Sequence, residues 1–169
     1  METFYYYLFA PLVVLSGLLQ ATLLPQVHIG RVHPDLVLVL VVCWSMLRGA
    51  REGIIWALMG GLVLDLLSAG PFGAFSVSLV AISLLVVVLT ASFFRPSLAM
   101  SLPLIAVSSL CYYGMALAAL LLAGRPLPWA ETFVEVVAPA TLANAALMLV
   151  LFPLVRWLHR STTHREMVW

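Results

Sequence analysis

Gly53-Ile54-Ile55-Trp56-Ala57-Leu58-Met59-Gly60-Gly61-Leu62-Val63-Leu64-Asp65-Leu66-Leu67 carries a single charged side chain, Asp65, close to its far end. A helix on the surface of a soluble protein keeps one polar face. This segment has none, so as a helix it must meet apolar surroundings on every side. Small residues recur in and around it every four positions, at Gly49, Gly53, Ala57 and Gly61, and the series ends on Asp65. Gly60 and Ser68 extend the set. Four residues advance a helix by one turn plus about 40°, so these positions share one slowly drifting face. Lipid tails are as apolar as leucine, so helices in a bilayer associate through close van der Waals approach, which small residues at this spacing permit. The stripe predicts a tight helix–helix seam, within the protein or with a partner helix.

The rest of the chain has the same character. Of its 169 residues 64% are hydrophobic and 9% charged, where a soluble domain carries about 25% charged residues. Such a chain cannot cover a globule with water-compatible groups and must turn most of its exterior to lipid. Apolar runs divided by charge, proline and glycine predict helices over about 4–24, 35–47, 53–67, 72–94, 97–123 and 132–158, in one transmembrane domain spanning 1–169. At roughly 20 residues per crossing, that accounts for the whole length. The fold class is thus an all-α integral membrane bundle of about six helices. The second and third runs are short. A tight hairpin of two full but short helices is the favoured reading, with two partial crossings shielded by neighbours as the alternative. Met1-Glu2-Thr3 has neither the positive charge nor the cleavage site of a signal peptide, so the first run is expected to remain as a helix. Its aromatic start, Phe4-Tyr5-Tyr6-Tyr7, suits a membrane interface.

The net charge is +1, which gives no reason to expect nucleic acid as a partner. All the basic residues are arginines. With six crossings, Arg48, Arg51, Arg95, Arg156, Arg160 and Arg165 share one side, and Arg31 and Arg125 lie on the other. Positive charge marks the cytoplasmic side, so both termini are expected in the cytoplasm. The first helix alone, followed by Arg31 with no basic residue before it, argues the opposite way.

Polar residues inside apolar runs are costly and face the bundle interior or a wet cavity. Asp65 is either a buried hydrogen-bonding, proton, substrate or partner group, or a carboxylate near the headgroups that caps the start of the fourth helix. Pro34-Asp35 resembles a helix start, with proline at an early position and aspartate as the cap. Asn144 is expected to bond across helices, Pro139 to kink its helix or end a short first turn, and Pro103 and Pro153 to kink theirs. Glu131 and Glu135 sit where a positive helix end favours acid, with a substrate-binding pair as the minority reading. Cys43 and Cys111 lie in apolar runs and read as free thiols. His28 and His33 are a weak metal motif, so neither a metal nor a cofactor is expected. No G-x-S-x-G, H-E-x-x-H, P-loop or dinucleotide-binding glycine set occurs, and nothing in the pattern argues for an enzyme.

Pro34-Asp35-Leu36-Val37-Leu38, then Gly53 with Gly60-Gly61-Leu62-Val63-Leu64-Asp65, then Gly70-Pro71-Phe72-Gly73 together resemble the MreD family of bacterial rod shape-determining proteins. Pro34, Asp35, Gly53, Gly61, Asp65 and Gly73 are the motif positions. The resemblance implies a non-enzymatic scaffold of the cell-wall elongation complex in the bacterial inner membrane. It implies MreC as the direct partner, with RodA, a class B penicillin-binding protein and MreB in the wider complex. It also implies a fold similar to the substrate-binding subunits of energy-coupling-factor transporters. The competing expectation is such a vitamin-type transporter subunit, with Asp65, Glu131 and Glu135 converging on a pocket.

Overall fold

A computed structural model describes residues 2–22, 33–68, 71–93, 97–122, 124 and 129–163, with side chains over 11–20, 22, 33–68, 71–91, 97–122, 124 and 131–157. The expectations attached to Phe4, Tyr5, Tyr6, Tyr7, His28, Arg31, Gly70, Arg95, Arg125, Arg160 and Arg165 concern side chains or residues outside that set. The described residues form helices and no strand: α1 (Glu2–Thr22), α2 (Leu36–Arg48), α3 (Ala50–Leu67), α4 (Ala74–Phe93), α5 (Leu98–Leu122) and α6. The last consists of three contiguous pieces: an α turn Trp129–Thr132, a π-helical stretch Phe133–Val137 and an α-helix Ala138–Thr163.

Three segments are long and apolar enough to cross a membrane: Ala74–Ala91, Leu98–Leu122 and Phe133–Trp157. Their flanks show what solvent they are built for. Val77, Val88, Leu142 and Val150 are between 60% and 73% exposed, and apolar surface repeated along several helices is rare on soluble monomers. The chain is a membrane protein whose apolar surface is turned outward.

Helix α2 is the post around which the others stand. It touches α1, α3, α4, α5 and α6, and Val37, Leu38, Val39, Val41, Val42 and Cys43 are at most 1% exposed. Its 13 residues span about 20 Å, short of a hydrocarbon core of about 30 Å. Enclosure removes the difficulty, because neighbours rather than lipid surround its ends. Of the hairpin pair, α2 is the more enclosed and α3, with 18 residues, the longer. Helix α3 starts earlier than expected, at Ala50, and takes in Arg51 and Glu52.

The α2–α3 hairpin is closed by one residue, Gly49, with φ +82°, a region that glycine enters without the Cβ penalty. Polar groups finish this end. The Trp44 indole donates to Glu52 at 3.0 Å, and Arg48 meets the same carboxylate at 3.4 Å. The Trp44 ring packs edge-on against Trp56 with centroids 5.8 Å apart. Arg48 also lies in the last turn of α2, where the helix dipole favours a cation.

Pro139 shapes α6. Having no N–H, and with a ring that collides with the carbonyl four residues back, it cannot continue a regular ladder. The turn before it widens instead: Ala138 N–H donates to Phe133 O, five residues back. Pro103 and Pro153 lie inside α5 and α6, which continue past them.

Candidate functional site

The polar residues singled out in the sequence gather at the end of the bundle opposite the hairpin, in two networks. The first is centred on Asp35, which is 5% exposed. Its carboxylate caps α2 by accepting from Leu38 N–H at 2.9 Å. Its own backbone N–H donates to Asn144 Oδ1 on α6 at 2.6 Å. The Asn144 amide then donates to Ser109 Oγ on α5 at 3.1 Å and reaches the Tyr113 hydroxyl at 3.5 Å. A second free N–H of α2, that of Val37, donates to Gln20 Oε1 on α1 at 3.1 Å. Two helices, α1 and α6, thus satisfy N–H groups at the start of the enclosed one, while α5 holds the Asn144 amide. Helix starts leave four N–H groups without intrahelical partners, and in hydrocarbon each orphan costs several kcal/mol.

The second network is centred on Asp65, 4% exposed. Its two oxygens accept from Phe75 N–H at 3.0 Å, Ser76 N–H at 3.1 Å and Ser76 Oγ at 2.5 Å. A carboxylate on α3 therefore caps α4 across the Pro71–Gly73 turn. The two sequence readings of Asp65 describe one arrangement, a residue both buried and capping. Gly73, with φ +92°, provides the turn that brings the α4 start back onto it.

The small-residue stripe faces this protein's own helices. A Cβ on Gly53 would stand 2.6 Å from Ser83 Oγ of α4, and one on Gly60 would stand 2.6 Å from Val37 Cγ1 of α2. A Cβ on Gly61 would stand 2.8 Å from the backbone nitrogen of Ser76. Ala57 is fully buried. Gly49 leaves the stripe: it is the hairpin link, and a Cβ there meets nothing within 4 Å. The glycine series thus seats α3 in the angle between α2 and α4, and its face is already occupied. Gly17 of α1, which the sequence reading passed over, makes a similar approach to Val63.

Other candidates do not converge. Glu131 and Glu135 are exposed at the start of α6, which makes no contact with α3, so they do not join Asp65 in a pocket. Among the described residues no group of three His, Cys, Asp or Glu side chains is placed to hold a metal. Cys43 lies with its sulfur 3.3 Å from Met148 Sδ, deep in the bundle, and Cys111 faces outward. Among the described residues the buried carboxylates, Asp35 and Asp65, are each engaged in holding a helix end.

The family model for the rod shape-determining protein MreD matches residues 1–162. The chain belongs to the MreD family. No curated protein and no solved structure matches it. MreD is a family of structural, shape-determining membrane proteins and not a known enzyme family. The resemblance carried by residues 34–73 extends over nearly the whole chain. In this MreD-family protein the motif residues Pro34, Asp35, Gly53, Gly61, Asp65 and Gly73 all fall in α2, α3 and the turns that start α2 and α4.

Asn144 gives a direct test of the first network. Asn144→Ala leaves the Asp35 N–H without an acceptor inside the bundle, a loss of about 1–3 kcal/mol. The expected result is a lower thermal unfolding midpoint in detergent. Leu142→Ala, on the exposed side of the same helix, leaves the midpoint unchanged.

Proposed function

We propose that this protein is a non-enzymatic scaffold of the cell-wall elongation complex, residing in the bacterial inner membrane and binding the single-pass protein MreC. Membership of the MreD family supports the reading most. The chemistry of the interior agrees with it. Asp35, Asp65 and Asn144 are committed to tying helices together, which is what a rigid platform for other membrane proteins requires. Six crossings with both termini in the cytoplasm, in a fold of the energy-coupling-factor substrate-binding kind, belong to the same proposal. So does contact with RodA, a class B penicillin-binding protein and MreB through the wider complex.

Because the α3 stripe is filled from within, a partner helix needs another surface. The outward face of α5 suits one: Pro103, Val107, Cys111, Gly114 and Ala118 are all exposed, and a Cβ on Gly114 meets nothing within 4 Å. Small residues there let a second helix approach closely. Gly114→Leu with Ala118→Leu is expected to fold, to keep the unfolding midpoint, and to lose at least about tenfold in MreC recovered on affinity purification from native membranes, or about 1.4 kcal/mol. Undiminished MreC recovery would exclude the α5 face. Absence of MreC from purifications of the unaltered protein would exclude the scaffold reading itself.

A further inference from the structure

We propose that the hairpin end of the bundle holds one anionic phospholipid, its headgroup on Arg48, Arg51 and Arg156 and one acyl chain in a slot that reaches α2 between α1 and α6.

Burial along α2 points to the slot. The partly exposed apolar residues of this enclosed helix are Leu36, Leu40 and Leu47. Steps of four and seven residues keep them within about 40° of one another, so α2 is reached from one face. A narrow cavity lies against that face, lined by Leu12 of α1, Leu40, Val41 and Trp44 of α2, Trp56 of α3 and Val155 of α6. Leu12, on its rim, is 42% exposed, so the slot opens to the outside of the bundle, where the solvent is hydrocarbon. Its enclosed space of about 30 Å³ has no room for a helix, which is about 10 Å across. A flexible acyl chain matches it in width and in chemistry. Filling the slot restores the dispersion contacts that its walls otherwise lose.

Charge selects the lipid. Arg48 lies one helical turn beyond Trp44, and its guanidinium is 5.8 Å from the Trp44 ring that forms part of the wall. Arg156 directly follows Val155, another lining residue, and Arg51 is exposed in the first turn of α3. Glu52 is bound to Trp44 and Arg48 at the same end. Among the residues whose side chains are described, three arginines thus stand with one carboxylate at the mouth of the slot, a surplus of positive charge. The planar guanidinium matches phosphate oxygens two at a time, and basic groups between helices at the bilayer surface collect anionic headgroups. A zwitterionic lipid offers the same chain and phosphate, but its own ammonium meets the same arginines and is repelled.

The test is quenching of indole fluorescence by phospholipids brominated in their acyl chains, on the full chain reconstituted in vesicles at low salt. Trp129→Phe, Trp157→Phe and Trp169→Phe leave Trp44 and Trp56, both in the slot wall, as reporters. Brominated phosphatidylglycerol is expected to bind at least about fivefold more tightly than brominated phosphatidylcholine. Arg51→Gln with Arg156→Gln is expected to bring that ratio below about twofold, while quenching by phosphatidylcholine persists. Leu12→Phe crowds the rim and is expected to weaken quenching by both lipids. Equal affinity for the two lipids, or a preference that the double arginine variant retains, overturns the anionic site. A Leu12→Phe protein quenched as fully as its parent overturns the slot. Should the three phenylalanine substitutions prevent folding, native mass spectrometry of the unaltered protein decides it. From an equimolar mixture of the two unbrominated lipids, phosphatidylglycerol is expected to stay bound about fivefold more often; equal retention overturns the proposal.

Discussion

Gly61→Leu gives no folded protein, and Gly61→Ala loses about 3 kcal/mol or more of stability. The reason is what the added carbon would strike. A Cβ at this position collides with the Cα of Ser76 and stands 2.8 Å from its nitrogen. Both are backbone atoms of α4, so no rotamer change relieves the clash; α4 itself must retreat. Overpacking alone costs about 1–3 kcal/mol. Retreat of α4 also stretches the bonds from Phe75 and Ser76 to Asp65, which adds the cost of buried donors left without acceptors. Against a total stability of about 5–15 kcal/mol, the leucine variant has no reserve. Size-exclusion profiles of detergent extracts show the outcome directly, with Gly114→Leu as the control that folds. A monodisperse Gly61→Leu protein with an unchanged midpoint would mean that α3 and α4 do not meet as described.

Asp65→Ala is the second large effect, a loss of about 3–5 kcal/mol. It strips the α4 start of its acceptor and leaves two backbone N–H groups and the Ser76 hydroxyl buried without partners. Asp65→Asn keeps one acceptor oxygen in nearly the same place and loses about 1–2 kcal/mol, chiefly the attraction between a full charge and a helix N-terminus. The order native, Asn, Ala is expected in unfolding midpoints and in rod-shape rescue of a depleted strain, where rescue follows abundance. Hydrogen exchange localises the cause: amides 75–77 lose protection before those of α5. If Asn and Ala behave alike, the capping account of Asp65 fails.

Hydropathy was a good guide to where helices are and a poor one to which way they face. Apolar runs drawn at 35–47 and 72–94 overlap α2 and α4, because charge, proline and glycine interrupt a chain that is otherwise oily. The enclosure of α2 could not be read the same way. In lipid, a helix apolar all round suits a central post as well as an outer wall, and periodicity of hydrophobicity carries no inward direction. At Gly53 and Gly61 the backbone comes so close to other helices that a Cβ would collide with them. Glycine spacing gave no information on whether the neighbour was α4 or a separate protein. Gly49 fitted the four-residue rhythm only by coincidence with the hairpin, where its positive φ matters instead. Asp65 and Pro34-Asp35 were legible as helix-start chemistry because capping is local. Asn144 was legible as a bonding residue, but its partner on another helix was not. The widening before Pro139 has a local cause, the missing N–H, yet whether a helix kinks, stops or bulges there depends on which residues its neighbours hold.

The enclosed post also constrains how this protein can be made. The Asp35 amide depends on an oxygen 109 residues further along the chain. A ribosome adding about 5–20 residues per second needs about 5–20 seconds to deliver it. Through that interval the nascent α2 has its polar tip exposed to oil, unless water or an insertase shelters it. The start of α2 is therefore completed only once α6, made later in the chain, brings Asn144 to it.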